Sequence, residues 1–263
     1  MCQHKIIELE SKEANMTVHQ KLAGALTQKN ALKVISGLNN FDRQQVTAVV
    51  KAAEAGGATL VDIAARPELV EAIRRLTSLP ICVSAVEPEL FVSAVNAGAD
   101  LIEIGNFDSF YSQGRRFEAA EVLELTQRTR SLLPEVTLSV TVPHILALDE
   151  QVRLAEQLVT AGANIIQTEG GTSVRPVSPG IQGAIEKAAP TLAAAYSISQ
   201  AIDIPVLCAS GLSSVTVPMA IAAGASGVGV GSAINRLNSE VAMVAAVRSL
   251  VEALSSSYSV VKR

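Results

Sequence analysis

Ala223-Gly224-Ala225-Ser226-Gly227-Val228-Gly229-Val230-Gly231-Ser232-Ala233-Ile234 is the stretch on which the reading of the fold turns. Val228 and Val230 alternate with Gly227, Gly229 and Gly231, so a strand here presents one branched apolar face and one face of bare backbone. That second face leaves a void. Gly231-Ser232 can then open a short helix, whose unpaired N–H groups and positive dipole end suit an anion such as phosphate. The triplet that introduces this strand recurs. Ala97-Gly98-Ala99 precedes Leu101-Ile102-Glu103-Ile104, Ala161-Gly162-Ala163 precedes Ile165-Ile166-Gln167-Thr168, and a looser Gly56-Gly57-Ala58 precedes Leu60-Val61-Asp62-Ile63. In each copy the glycine fits the position just past a helix, where a left-handed backbone turns the chain into a strand.

Working outward, these are the even-numbered members of a series. Short β-rich runs at 32–36, 58–63, 80–84, 99–104, 136–141, 163–168, 204–209 and 225–230 alternate with helical runs, the signature of successive βαβ units. Eight units without a linker predict a single (β/α)8 TIM barrel over 17–263, after a loose extension at 1–16 and with a cap helix bearing Val18, Leu22 and Leu26. The odd strands repeat as well. Leu79-Pro80-Ile81-Cys82-Val83-Ser84 returns 125 residues later as Ile204-Pro205-Val206-Leu207-Cys208-Ala209-Ser210, and Gly98 and Gly224 stand 126 apart, as half-barrel repeats should.

Composition narrows the partners. Of 263 residues 49% are hydrophobic and 17% charged, with a net charge of −4, which gives ample core and no basic footprint for nucleic acid. Small molecules are the expected ligands. Cys2, Cys82 and Cys208 have neither disulfide density nor zinc spacing, so no metal is expected and a reducing, cytoplasmic setting fits. No run reaches membrane-spanning length, so no membrane partner is expected.

Registering the even strands on the triplet puts Asp62, Glu103, Gln167 and Gly229 at one inward position, with their branched neighbours facing the helices. Branched apolar residues normally fill such a layer. Two carboxylates, an amide and a void belong instead at the wet C-terminal mouth, since a buried unpaired carboxylate shifts its pKa or needs a partner. Glu103 and Asp62 are therefore the candidate acid/base pair, with Lys33 in strand one as a counter-ion, a solvent-exposed strand base, or an electrophilic or Schiff-base lysine. His144, just beyond strand five, is a further acid/base candidate.

For binding, the loops after strands seven and eight supply Ser210, Gly211, Gly229, Gly231 and Ser232 at the common phosphate position of the fold, tight strand–helix packing being the alternative use of those glycines. The long connection after strand six adds Gln167, Glu169, Gly170, Gly171, Thr172 and Arg175, the arginine able to clamp a phosphate or carboxylate. Residues 106–116, with three of the chain's eight aromatics, form a candidate cover. Cys82 and Cys208 read as core fillers. Low charge along 190–198 and 218–223 points to a homo-oligomer, burial between neighbouring helices being the alternative.

Leu32-Lys33-Val34-Ile35-Ser36-Gly37-Leu38, Thr168-Glu169-Gly170-Gly171-Thr172-Ser173 and Cys208-Ala209-Ser210-Gly211-Leu212-Ser213 resemble the hypothetical chloroplast reading frame twenty-three family of cyanobacteria and plastids. That resemblance implies the barrel fold and, for a plastid-encoded member, the stroma. The pattern of strands seven and eight is similar to ribulose-phosphate-binding barrels. The run at 161–171 also resembles FMN-dependent barrels of the nitronate monooxygenase type, although Ser36-Gly37-Leu38-Asn39-Asn40 departs from the Pro-Met turn usual under a flavin ring. Three functions follow: a lyase or isomerase acting on a phosphorylated small molecule, an FMN oxidoreductase, or a non-catalytic phosphometabolite sensor.

Overall fold

The structure, a computed structural model, describes residues 20–171 and 174–261, with side chains described through Ser256. The extension at 1–16, Val18 and Thr172 lie outside the described residues. Eight parallel strands, β1 (Ala31–Ile35), β2 (Leu60–Ala64), β3 (Ile81–Ala85), β4 (Leu101–Ile104), β5 (Thr137–Thr141), β6 (Ile165–Gln167), β7 (Val206–Ala209) and β8 (Gly227–Val230), close into a barrel in chain order. Lys33 of β1 stands opposite Gly229 of β8 across the seam. All eight expected strands are present, each within two residues of its expected start.

The recurring triplet works as its spacing predicts. Gly57, Gly98, Gly162 and Gly224 have φ of 88°, 108°, 96° and 99°, the left-handed region in which a side chain is strained. Each therefore ends a helix and aims the next even strand at the same height, which fixes the register of the layer inside. Val61, Ile63, Ile102, Ile104, Ile166, Val228 and Val230 pack outward into the main core beneath the helices. Inside, Ala31, Leu60, Cys82, Leu101, Ile165 and Leu207 make an apolar plug, closed from below by Leu22 and Leu26 of the helix that precedes β1. The barrel is thus dry at its N-terminal end and turns polar one layer higher.

Candidate functional site

That higher layer contains Lys33, Asp62, Ser84, Glu103, Ser139 and Gln167, each 2% exposed or less. Lys33 Nζ lies 2.6 Å from Glu103 Oε2, 3.3 Å from Asp62 Oδ2 and 3.1 Å from Gln167 Oε1. Ser84 donates to Asp62 at 2.6 Å, Ser139 to Glu103 at 2.8 Å, and Gln167 Nε2 to Glu103 at 2.7 Å and Thr141 Oγ1 at 3.3 Å. Burial alone would strip the proton from Lys33, but Asp62 and Glu103 hold it there and raise its pKa. A Schiff-base lysine must give up this proton to attack, and both carboxylates oppose that. Burial and the nearby Glu103 push Asp62 upward, against the pull of Lys33, to about 6.

Three sequence expectations change here. Lys33 is the counter-ion and is not a solvent-exposed strand base. Glu103 and Asp62 do share the inward layer with Gln167 and Gly229, yet they are 0% exposed and sit below the mouth, because Lys33 supplies the charge that makes a dry layer tolerable. The gap at Gly229 is filled too. A Cβ there would stand 2.9 Å from Ala209 Cβ, 3.1 Å from Ile35 Cδ1 and 3.3 Å from Gln167 Oε1, so the glycine admits neighbouring side chains rather than a ligand.

Above Gln167 lies a cavity of about 230 Å³ at the C-terminal ends of the strands. Its floor is Gln167, Thr141, Ile35 and Ala209, and Gly171, Ser210, Gly211, Gly231 and Ser232 form part of its wall. Gly211, with φ 76°, packs so closely on Gly171 that a Cβ would come within 2.8 Å of Gly171 Cα and 2.9 Å of the Lys187 carbonyl oxygen. Packing thus explains Gly211 at least as well as ligand approach does. Gly231 differs: its φ of −117° is ordinary, and its nearest prospective neighbour is the Ile35 carbonyl oxygen at 3.2 Å.

Glu169, just past β6, forms one side of the cavity and is 4% exposed. Its Oε1 accepts from Tyr111 O–H at 2.6 Å and His144 N–H at 3.2 Å, and faces His144 Nδ1 at 3.1 Å. Its Oε2 faces the Asp108 N–H at 3.3 Å. Burial raises the pKa of Glu169 against these donors. Burial opposes the charged form of His144, but its contact with Glu169 prevails and raises its pKa. Asp108 approaches His144 Nδ1 at 3.4 Å through Oδ1 and accepts from Ser210 Oγ at 3.0 Å through Oδ2. Asp108, His144 and Glu169 thus bring three potential ligand atoms within 4.8 Å of one another, a grouping that spacing in the sequence did not signal.

Tyr111 and Asp108 come from the aromatic segment after β4. Phe107 and Phe117, with ring centroids 4.4 Å apart, anchor both ends of that segment in the core, which carries Tyr111 across to Glu169. His144 contacts Glu169 but is not part of the cavity wall. Gly170 packs toward Pro190 and His144 instead of lining the cavity, and Arg175 is exposed away from it. Lys187 and Arg236, which sequence reasoning did not single out, do line it. The signal was weak, since both lie on helical or turn segments far from the strand-end motifs.

A family model described as "Protein of unknown function (DUF561)" matches residues 16–260. The "Uncharacterized protein ycf23" of Pyropia yezoensis is 42% identical over 239 residues, 91% of this chain and 88% of that protein. Its namesake in Cyanophora paradoxa is 44% identical over 229 residues, 86% of this chain and 93% of that one. Among solved structures, 3-hexulose-6-phosphate synthase superposes with a TM-score of 0.60 at 16% identity, covering 85% of this chain and 99% of its own. A thiamine phosphate pyrophosphorylase from Pyrococcus furiosus gives 0.58 at 18% identity, with 88% and 98% covered. Likeness at this level of identity is likeness of fold.

Proposed function

This chain belongs to the DUF561 family, and we propose that it binds a phosphorylated small metabolite at the C-terminal mouth and acts on it as a lyase or isomerase. The observation that carries this reading is convergence. One small cavity joins the ends of β7 and β8, two cationic side chains and a buried carboxylate. The phosphate is taken by the backbone around Gly231 and by Ser232, with Lys187 and Arg236 supplying positive charge. Glu169, its proton affinity raised by burial, moves the proton, and Tyr111 and His144 hold it in place. Lys33, Glu103 and Asp62 then serve by fixing Gln167 in the floor. The names of similar folds lend support, among them a geranylgeranylglyceryl phosphate synthase solved with its substrate sn-glycerol-1-phosphate.

No helix among the described residues is long and apolar enough to cross a membrane. With algal relatives, a stromal or cytoplasmic protein is the reading that fits. A sensor is the second functional reading, and turnover separates it from an enzyme.

Thermal melts with inorganic phosphate and phosphorylated sugars test binding. A ligand at 100 times its Kd stabilises by about 2.7 kcal/mol. That shift should vanish in Gly231→Asp, which adds bulk and like charge with its Cβ 3.2 Å from the Ile35 carbonyl oxygen, and survive in Glu169→Gln. Turnover, once a substrate is in hand, should fail in Glu169→Gln. A folded Gly231→Asp protein that responds like wild type would sink the phosphate reading.

A further inference from the structure

We propose that Asn235 is a specificity residue of this cavity, its side-chain oxygen accepting a hydrogen bond from a hydroxyl that the ligand carries close to its phosphate. This rests on the phosphate reading above and names the class of ligand for it, a hydroxyalkyl phosphate.

Asn235 ends the short helix Ser232–Asn235 that follows β8, and it lines the cavity together with Gly231 and Ser232. Its Nδ2 donates to the carbonyl oxygens of Ile35 at 2.9 Å and Ser36 at 3.3 Å, at the end of β1. Two carbonyl acceptors on one branch of the amide settle which branch is nitrogen, because only the NH₂ group can serve them. The other branch is Oδ1. That oxygen is buried, and among the described residues nothing donates to it. Gln167, the amide in the floor, is different. Its Oε1 accepts from Lys33 at 3.1 Å, and its Nε2 donates to Glu103 at 2.7 Å and Thr141 at 3.3 Å, so both of its branches are engaged within the protein.

A buried acceptor without a donor costs free energy, and native structures rarely keep one without a reason. The end of β1 closes the nitrogen side of the Asn235 amide, which leaves the cavity as the side from which a donor can arrive. The phosphate cannot be that donor: as a dianion it only accepts, and its oxygens would meet Oδ1 lone pair to lone pair. Position nevertheless ties the donor to the phosphate. A Cβ on Gly231 would stand 3.8 Å from Asn235 Nδ2, and the Asn235 N–H donates to the Gly231 carbonyl at 3.0 Å, so the amide and the proposed phosphate site share one corner of the cavity. The donor therefore belongs to the ligand, on a carbon near the ester oxygen. A hydroxyl suits a neutral amide acceptor, since it brings no charge that has to leave water.

Isothermal titration at pH 7.5 with 2-hydroxyethyl phosphate, 2-methoxyethyl phosphate, ethyl phosphate and inorganic phosphate tests this. The methoxy compound keeps the oxygen and loses the donor. The hydroxy compound should bind at least ~5-fold more tightly than both the methoxy and the ethyl compounds, the scale of one neutral hydrogen bond. Asn235→Ala removes that bond and should cut the preference to under about twofold while still binding ethyl phosphate, which also reports that the variant is folded. If Asn235 is only a strut between β8 and β1, the variant will weaken every ester alike and keep the preference, and that result would overturn the inference. Equal binding of the hydroxy and methoxy compounds to wild type would overturn it too and leave the phosphate reading standing. Should Asn235→Ala not fold, the Asn235 side-chain amide resonance of the wild-type protein decides: it should shift more with the hydroxy than with the methoxy compound at saturation, and equal shifts count against the contact. Failure of all four compounds to bind would remove both readings.

Discussion

Replacing Lys33 by Met keeps most of the side-chain volume and removes the charge, leaving Asp62 and Glu103 buried together with no cation. Lys33 Nζ is within 3.3 Å of both carboxylates, and all three side chains are at most 1% exposed, so no water is placed to take over. Breaking a buried ion pair from one side costs about 3–5 kcal/mol. At roughly 2–4 °C per kcal/mol for a chain of this size, the melting temperature should fall by about 6–20 °C. The loss should depend on pH, with a definite sign. The folded-state pKa of Asp62 stands at about 6, above the ordinary carboxylate value, so the native state holds a proton that the unfolded chain has released. Wild-type stability therefore declines as pH rises through that interval. Removing Lys33 raises the folded value further and extends the decline, so Lys33→Met should be nearer to wild type at pH 5 than at pH 8. Adding Asp62→Asn and Glu103→Gln should restore much of the loss. Calorimetric melts at the two pH values measure all of this. A loss under about 1 kcal/mol, the same at both, would mean that the layer is wet and that the argument for a sealed floor is wrong.

The two described thiols should be inert: burial pushes Cys208 up to about 11 and Cys82 well above an ordinary thiol. In a Cys2→Ser background, Ellman's reagent should find no fast-reacting thiol in the native protein and both after denaturation; a rapid native reaction would show that the interior opens. Tyr111→Phe removes the 2.6 Å hydrogen bond to Glu169 and should destabilise by about 1.5–3 kcal/mol. Because Glu169 already holds its proton more tightly when folded, losing that donor should carry its pH-dependent destabilisation to higher pH, as melts between pH 4 and 8 would show; an unchanged profile would deny the contact its role. Ile181, Ile185 and Tyr196 on the helix Gly180–Ser199 are exposed at 63%, 37% and 59%. Sedimentation velocity at micromolar concentration should show a dimer or larger, converted to monomer by Tyr196→Asp; a wild-type monomer would retire the interface.

The barrel was legible because its punctuation is local. A glycine past each helix that leads into an even strand sets a left-handed turn that any reader of the sequence can align, and the alignment carries Asp62, Glu103, Gln167 and Gly229 to one height. Depth was not legible. Whether that height is mouth or floor depends on strand length and on what fills the space above, and neither is written in a triplet. Lys33 was ambiguous because β1 is buried on both faces, so hydrophobic alternation cannot say which way a lone lysine points. Glu169 stood in a flagged loop, but its partners come from the ends of two other strands, β4 and β5. Lys187 lies in the middle of a helix, and only the packing of its stem on Gly211 brings it to the site.

The polar layer under the cavity also divides the chain unevenly. Every charge in it, Lys33, Asp62 and Glu103, belongs to the first four strands, while Ser139, Thr141, Gln167, Ala209 and Gly229 in the last four are neutral. The N-terminal half is electrostatically self-contained, and the C-terminal half meets it with hydroxyl, amide and methyl groups alone. Despite their repeated pattern, the halves are not interchangeable: two copies of the second would close over a charge-free interior, and two copies of the first would enclose duplicate ion clusters. Recombination between barrels has a natural cut between β4 and β5, provided that the incoming half brings an amide at the height of Gln167.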